Sequence, residues 1–464
     1  MKMASILGNI HEFFLSRKIN NLIEKFYASI SFPEEIDRDL DELIGFETEK
    51  ETLKDVLIFF KSMKFYEENP NLCPNRHFFL ATNPNAGDKV LLSGLAKTAG
   101  VPIITFQATM FVGLEARALM KCIDMIFDVA DAFESGCIID FTEFFATSTI
   151  EENLAGLFFN HFVQRIKESQ NTAVFLSTVE DKISIPAVML KDALFNTQRI
   201  ITMVAPSLDV REKLIAHYFE LYNLPENAEL IKRVARNTLG MFPEELEYVV
   251  RESMLYAERH ELSEVTFKEF NNVLLTIQAG EKCYKLSEKE RISTAYHEAG
   301  HVVAAYYSDP DYILGRVEIT PRSESLGLTM QEFGEDKFSS FEHEIKNIII
   351  YSYGGMAAEK LIYGETTSGT SADIANATMC ADLMFSKYGM HPQIGPVFIN
   401  AGSLNSDLLN NEVDKACQIF LKEMFEETYQ IVAAHKKQLE ALTKALLERE
   451  VLIGDEIKTV LDNA

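Results

Sequence analysis

The chain has 464 residues, 47% of them apolar, and carries 44 Lys and Arg against 70 Asp and Glu, a formal charge of −26. This length allows about three domains, and the negative field argues against nucleic acid or anionic lipid as the main partner because it repels phosphates. No apolar run approaches the roughly 18 residues that cross a bilayer, and the N-terminus lacks the features of a signal peptide, so we expect a cytoplasmic protein without a transmembrane segment.

The first part of the chain reads as an amphipathic segment. Residues 1–32 place apolar side chains at helical spacing, and Pro33 closes the pattern. We therefore predict an N-terminal amphipathic helical extension within residues 1–40. It packs on the body of the protein or on a neighbouring subunit, or alternatively residues 1–32 lie on a membrane surface.

Short apolar runs alternate with helical patterns from residue 41 to residue 207, which is typical of a parallel α/β sheet. The runs are 77–81, 102–106, 137–139, 173–176 and 199–204. Residues 208–280 read as helices only. A polar stretch then leads into residues 281–464, where a helix, a strand-like stretch over 316–330 and further helices from 341 onwards are predicted.

A His-Glu-x-x-His pattern lies inside the first helix of this last part. Ser287 followed by Glu290 is a capping box, so the helix is predicted over 288–308. His297 and His301 project from one face, one turn apart, where both reach one Zn²⁺, and Glu298 is placed to take a proton from the attacking water. The small residues of that face are expected to leave room for a ligand.

A third protein ligand is required. Ala304 and Tyr307 stand where a metzincin needs Gly and His, so that class is excluded. The residues leave two kinds of candidate, Glu318 or Glu324 some twenty positions on, and Asp373 near the start of a later helix. On spacing alone, an Asp there is better explained by stabilisation of the helix dipole.

Residues 43–464 resemble the FtsH family of AAA+ zinc metalloproteases. The resemblance is carried by the motif stretches at 293–301, 319–322, 326–330, 354–359, 388–390 and 395–397. It implies a multidomain fold, with an α/β AAA+-like parallel sheet module over 41–207, a helical lid over 208–280 and a mainly helical zinc metallopeptidase domain over 281–464.

The resemblance also assigns residues to the peptidase site. It selects Asp373 as the third ligand of one Zn²⁺ per chain. Leu326, Gly327, Leu328 and Thr329 would form an edge strand on which an extended substrate lies, although the pattern alone is also that of a core strand.

The nucleotide residues depart from the family pattern one by one. In the phosphate loop, Lys89 is present, but Asp88 replaces the last glycine and Val90 cannot bind magnesium. Thr142 stands where the family has its metal-binding Asp, although Glu143 is kept. Val179 stands where the family has its sensor Asn. Residues 190–197, where the family carries its arginine fingers, contain no Arg. We therefore expect that the chain does not hydrolyse ATP and that ATP is not one of its cofactors.

Phe111 matches the aromatic residue of the family's pore loop. Without hydrolysis it cannot drive translocation, so it forms a fixed hydrophobic ring at an entrance or is simply a packed loop residue. The resulting prediction is an ATP-independent zinc endopeptidase, forming a homo-hexamer, that degrades unfolded or flexible polypeptides. The alternative is a non-ATPase structural or regulatory subunit that assembles with active relatives.

Overall fold

The computed structural model describes two compact units. The described residues are 29–81, 86–106, 116–142, 152–178, 200–280, 286–322, 326–332, 334, 336–337, 339–392, 394–399 and 407–464. The first unit holds the described residues up to Glu226 together with Thr238–Val250, and the second holds Asn227–Asn237 and Arg251–Ala464. No helix in these ranges combines the length and the apolar character that crossing a membrane takes.

The first unit is built on a six-stranded sheet of order β1-β3-β4-β5-β2-β6. Its strands are β1 (Ile30–Ser31), β2 (His77–Ala81), β3 (Ile103–Thr105), β4 (Cys137–Phe141), β5 (Thr172–Thr178) and β6 (Ile200–Thr202). All pair in parallel except β1, which runs antiparallel to β3 at one edge. The central strands β2 and β4 are buried along their whole length, which explains their nearly continuous apolar runs.

The helices described in this unit before residue 226 are α1 (Glu47–Lys61), α2 (Met63–Glu68), α3 (Asp88–Ala99), α4 (Ala116–Asp131), α5 (Glu152–Glu168) and α6 (Leu208–Leu221). Buried residues of α1, α3, α4 and α5 pack against the sheet. Alternate strand residues enter two separate cores, since Phe79 packs in a cluster with Phe127 and Phe162, whereas Phe78 packs in another with Phe59. The predicted parallel α/β sheet is confirmed.

The prediction that the N-terminal helical pattern continues to residue 32 is wrong. Ile30 and Ser31 form a strand that pairs with Ile104 and Ile103, and the side chain of Ile30 packs against the sheet core. The apolar spacing that suggested a helix here is overridden by this pairing, which suits a β-branched residue. The rest of the extension, residues 1–28, lies outside the described residues.

The chain after residue 208 is helical up to Ala279, as predicted. After α6 come α7 (Ala228–Arg236), α8 (Pro243–Arg259) and α9 (Phe267–Ala279). The compact units divide this block, with α7 and α9 in the second unit and α8 contributing residues to both. The boundaries predicted for the lid therefore stay predictions.

The rest of the second unit combines helices with a small antiparallel sheet of order β8-β7-β9. The helices are α10 (Glu288–Ser308), α11 (Glu342–Tyr363), α12 (Ser371–Ser386), α13 (Asp407–Ala434), α14 (Lys436–Arg449) and α15 (Gly454–Asp462), and the strands are β7 (Ile313–Glu318), β8 (Leu328–Glu332) and β9 (Val451–Ile453). One hydrophobic cluster joins these helices, and α10 runs through it with Ala299, Val302 and Val303 fully buried. Strand β9, in a stretch predicted to be helical, was missed.

Candidate metal centre

The helix that carries both histidines begins where the sequence predicts. The hydroxyl of Ser287 accepts a hydrogen bond from Glu290 N at 3.3 Å, and the Glu290 carboxylate accepts one from Ser287 N at 2.9 Å. These bonds satisfy two amide groups that a helix start leaves unpaired. Helix α10 then runs to Ser308, so His297 and His301 lie one turn apart near its middle.

Three ligand atoms converge at this point. The Nε2 atoms of His297 and His301 lie 3.0 Å apart. The Oδ2 atom of Asp373, in the first turn of α12, lies 3.2 Å from the first and 3.6 Å from the second. Of the described residues, these three form the cluster of His, Cys, Asp or Glu side chains that could hold a metal ion.

The outer nitrogen of each imidazole is already occupied. His297 Nδ1 lies 2.9 Å from Glu359 Oε1, and His301 Nδ1 lies 2.7 Å from the carbonyl oxygen of Tyr351. A carbonyl only accepts, so His301 must donate through Nδ1, and the same holds for His297 beside an ionised carboxylate. In the neutral imidazoles, both Nε2 lone pairs therefore face each other and the Asp373 carboxylate.

The electrostatics of the cluster follow from this arrangement. Burial disfavours charge on His297, but its hydrogen bonds to Asp373 and Glu359 outweigh burial and raise its pKa to about 10. Burial likewise opposes ionisation of Asp373, yet the two imidazoles lower the pKa of its carboxyl. Without a metal, the proton that His297 retains lies between its Nε2 and Asp373. A metal ion can take the place of that proton, and two imidazoles with one carboxylate are a donor set that suits Zn²⁺. The residues present therefore fit a zinc ion.

Hydrogen bonds from Thr367 fix the Glu359 carboxylate in the position where it contacts His297. This carboxylate accepts hydrogen bonds from Thr367 N at 2.5 Å and from the Thr367 hydroxyl at 3.0 Å. Burial alone would raise the pKa of Glu359, but the bonds from His297 and Thr367 lower it, so the carboxylate stays ionised. An ionised carboxylate behind an imidazole fixes its tautomer and makes it a better ligand.

Glu298 is buried beside the cluster, with 6% of its surface exposed. Burial raises the pKa of its carboxyl, although the nearby His297 and His301 lower it. Its Oε2 atom accepts a hydrogen bond of 2.7 Å from the Thr329 hydroxyl. A carboxyl whose pKa is raised is suited to accept and release a proton.

Glycines allow the close packing around these side chains. A Cβ on Gly300 would lie 2.3 Å from the carbonyl oxygen of Gly354, where α10 and α11 cross. A Cβ on Gly355 would lie 2.5 Å from the ring of His297, and one on Gly327 would lie 2.6 Å from Glu298 Oε1. Any larger residue at these positions would displace a site residue.

Two expectations about the site are corrected. Ala304 and Ala305, taken as small residues that leave room for a ligand, are buried and packed in the helical core. Glu318, one candidate third ligand, is fully buried but pairs with Arg316 and Arg322, each at 2.6 Å, because the strand places it against two guanidinium groups. Glu324 lies outside the described residues.

The predicted substrate residues lie beside Glu298. Leu328 and Thr329 belong to β8, which pairs with β7 alone among the described strands and so leaves its other edge open. Leu326 is 48% exposed, and Gly327 packs on Glu298. Phe111 lies outside the described residues.

The nucleotide residues are described only in part. Gly87 precedes α3 in a left-handed conformation, Asp88 lies in the first turn, and the side chains of Lys89 and Val90 are exposed. Thr142 donates two hydrogen bonds to Asp140 Oδ1, from its amide at 2.9 Å and its hydroxyl at 2.7 Å. Glu143, Val179 and 190–197 lie outside the described residues.

Sequence reasoning assigned no role to Glu359 or Tyr351, although Glu359 contacts His297 and Tyr351 contacts His301. Glu359 lies in a stretch that the resemblance had already singled out, so the charge within that stretch was the available signal. Tyr351 acts on His301 through its backbone carbonyl, which no residue type could indicate.

Comparisons with known proteins agree with this site. Residues 284–460 match the family model described as Peptidase family M41. The ATP-dependent zinc metalloprotease FtsH of Borreliella burgdorferi is 27% identical over 451 residues, which are 90% of this chain and 69% of that protein. FtsH 1 of Bdellovibrio bacteriovorus is 28% identical, over 91% of this chain and 68% of that protein, and FtsH of Marinobacter nauticus is 28% identical, over 92% and 70%.

Among solved structures, a chain from a study of katanin self-assembly aligns with a TM-score of 0.44 and 17% identity, over 55% of this chain and 89% of that chain. This likeness is too low to bear on function. The relatives and the M41 match, by contrast, extend over the converging histidines and aspartate. The chain is therefore similar to ATP-dependent zinc metalloproteases of the FtsH type over about nine tenths of its length, and its residues 284–460 match peptidase family M41.

Proposed function

We propose that this protein is a zinc-dependent endopeptidase that hydrolyses unfolded or flexible polypeptides without hydrolysing ATP. His297, His301 and Asp373 hold one zinc ion per chain. The observation that carries the proposal is the convergence of their Nε2, Nε2 and Oδ2 atoms within 3.0 to 3.6 Å while both Nδ1 atoms are already hydrogen-bonded. Two imidazole nitrogens and one carboxylate oxygen at this spacing are suited to bind one zinc ion together.

The chain's own residues then handle the proton. When bound, the zinc ion supplies a Lewis acid that polarises a carbonyl and lowers the pKa of a water toward about 7. Glu298, buried and with a raised pKa, takes the proton of the attacking water and passes it to the leaving amine. The Thr329 hydroxyl keeps Glu298 Oε2 in place during both transfers.

The open edge of β8 supports an extended polypeptide as substrate. A strand added to this edge is held by backbone hydrogen bonds, which demand little of the substrate's side chains. Such pairing needs a segment free to extend, so the substrate is an unfolded or flexible chain. Leu326, Gly327, Leu328 and Thr329 supply this surface next to Glu298.

The start of α3 supports the absence of ATP hydrolysis. A helix N-terminus binds phosphate through its free amides and the positive end of its dipole. Asp88 adds a negative charge in that first turn, and Val90 offers no hydroxyl for magnesium. Thr142, at the position of the family's magnesium-binding Asp, bonds to Asp140 instead.

The proposed assembly is a homo-hexamer in the cytoplasm, with Phe111 at the entrance and the extension that precedes β1 packed on the body, a neighbouring subunit or a membrane surface. The support is the resemblance together with the composition.

The proposal is tested by replacing Glu298 with Gln. The variant keeps the shape of the side chain but cannot accept the proton, so casein cleavage should fall to background while zinc content, measured by atomic absorption, stays at one ion per chain. Persistent cleavage would show that the assignment is wrong. A wild-type protein that is inactive alone, yet active with a co-purifying relative, would favour the subunit function instead.

A further inference from the structure

Thr329 contacts the catalytic centre through its side chain. Its hydroxyl donates to Glu298 Oε2 at 2.7 Å, and only 6% of the residue is exposed. Among the described residues, no other side chain hydrogen-bonds to the Glu298 carboxylate. The second oxygen of that carboxylate packs against Gly327, where a Cβ would lie 2.6 Å from Oε1. Two residues of one strand segment, at positions i and i+2, therefore fix the orientation of Glu298.

The backbone of Thr329 faces the open edge of the sheet. Ile319 N donates to Glu450 O on the β9 side of the sheet. Successive residues of a strand direct their backbone groups to opposite edges, so Val317 also faces β9. Because Val317 is the partner of Thr329, the amide and carbonyl of Thr329 point away from β7, toward the edge where a substrate strand would pair.

Tyr351 confirms the direction of the carbonyl. Its hydroxyl donates to Thr329 O at 2.6 Å, and burial raises the pKa of this phenol well above its usual value, so it remains a donor. The carbonyl of Tyr351 accepts from His301 Nδ1. A carbonyl oxygen has two lone pairs, which leaves one on Thr329 for the amide of a substrate. Tyr351 thus ties the edge strand to the helix that supports His301.

We propose that Thr329 is a positioning residue that joins substrate pairing to the general base: its backbone pairs with the substrate main chain while its hydroxyl orients Glu298. The inference rests on the proposed function. A polypeptide seated on β8 fixes Thr329, and Thr329 fixes the carboxylate that must receive the proton. Orientation of a catalytic group acts on the chemical step, so its loss lowers kcat rather than raising KM.

The test compares Thr329→Val with Thr329→Ser on a fluorogenic casein-derived peptide, using the full chain with zinc. Val has nearly the same shape but no hydroxyl, so we expect kcat to fall roughly 10- to 100-fold with KM and zinc content unchanged. Ser restores the donor and should keep kcat within about threefold of wild type. If Thr329→Val does not fold, Thr329→Ala removes the same hydroxyl, and Ser rescue is judged against it.

Three results would overturn the inference: wild-type kcat in Thr329→Val, equal loss in the Val and Ser variants, or a rise in KM with kcat intact. Glu298→Gln is measured alongside. If Glu298→Gln is active, the proposed function itself is wrong. If Glu298→Gln is inactive while Thr329→Val is fully active, only the positioning role of Thr329 is wrong.

Discussion

Asp373 and Asp88 both lie in the first turn of a helix, one in each compact unit. In both places the carboxylate stabilises the positive end of the helix dipole. Around Asp373, two imidazoles present lone pairs at 3.2 and 3.6 Å. Asp88 instead stands in a turn where a nucleotide-binding chain needs amides and a cation facing phosphate, and Gly87 there is packed by the ring of Phe46.

The difference shows that local position does not decide the role of a carboxylate. A helix start accepts Asp for its own stability, and the chemistry depends on the groups that other elements bring to it. At Asp373 these groups are two imidazoles that could share a cation, whereas Asp88 adds a negative charge to the start of α3. The second unit brings three side chains that could hold a metal ion together, whereas the described start of α3 in the first unit presents a carboxylate.

The largest effect is expected from Asp373→Ala. Two imidazoles alone hold zinc poorly, and the metal supplies several kcal/mol of transition-state stabilisation, so proteolysis should fall roughly 1,000-fold or more. Zinc content and casein cleavage are the measurements. Asp382→Ala, an exposed position on the same helix, is the control and should leave both unchanged. Retained zinc in Asp373→Ala would mean that Asp373 serves only the helix dipole.

Glu318→Gln separates a structural carboxylate from a ligand. Glu318 is buried between Arg316 and Arg322, and removing one partner of a buried ion pair costs about 3–5 kcal/mol of stability. Urea denaturation measures this loss, and zinc content of the folded protein should not change. Glu332→Gln, which breaks the more exposed pair with Arg233, should cost about 1 kcal/mol or less.

The same pair predicts a pH dependence. Burial alone would raise the pKa of Glu318, but Arg322 and Arg316 outweigh it and lower the pKa below the value in the unfolded chain, about 4.3. The ion pairs of Glu318 therefore contribute fully to the free energy of unfolding above the pKa of the unfolded chain. This contribution is lost as the pH falls through the lower pKa of the folded protein. The difference in unfolding free energy between wild type and Glu318→Gln should be constant near neutrality and shrink below about pH 4. A constant difference at every pH would contradict the ion pair as its source.

A smaller effect is expected from Glu359→Ala. Its carboxylate orients His297 from behind, and loss of such an outer contact typically weakens metal binding about 10- to 100-fold. Competition with a chromogenic zinc chelator measures the affinity, and Glu365→Ala, exposed and nearby, serves as control. Unchanged affinity would place Glu359 outside the metal centre.

The smallest effect, on thermal stability, is predicted for the addition of nucleotide. A ligand present at 100 times its Kd would stabilise the protein by about 2.7 kcal/mol. With millimolar Mg-ATP we expect no shift in melting temperature, and Lys89→Ala should behave as wild type. A clear upward shift that Lys89→Ala abolishes would show that the altered loop still binds phosphate.

Much of this could be predicted because it depends on local patterns. The bounds of α10 follow from Ser287, Glu290 and the stop at Asp309, and the parallel strands follow from apolar runs. The third ligand could not be derived from spacing, since Glu318 and Asp373 both met the chemical requirement. Only the fold shows that Glu318 meets two arginines while Asp373 meets two imidazoles.

The contacts that sequence reasoning missed are tertiary. The contact of Thr329 with Glu298 joins a strand to a helix 31 positions away, and Tyr351 acts through its backbone carbonyl. Ile30 was assigned to a helix because its pairing with Ile104 lies 74 positions along the chain. Patterns within one element do not encode such partners.

The central claim is that this chain hydrolyses proteins through the metal cluster without help from the nucleotide site. The most direct measurement is casein digestion by the purified protein alone, with and without ATP and with and without a zinc chelator. The account predicts equal digestion in the presence and absence of ATP, and none with chelator until zinc is restored. Digestion that requires ATP, or that survives complete removal of zinc, would contradict it.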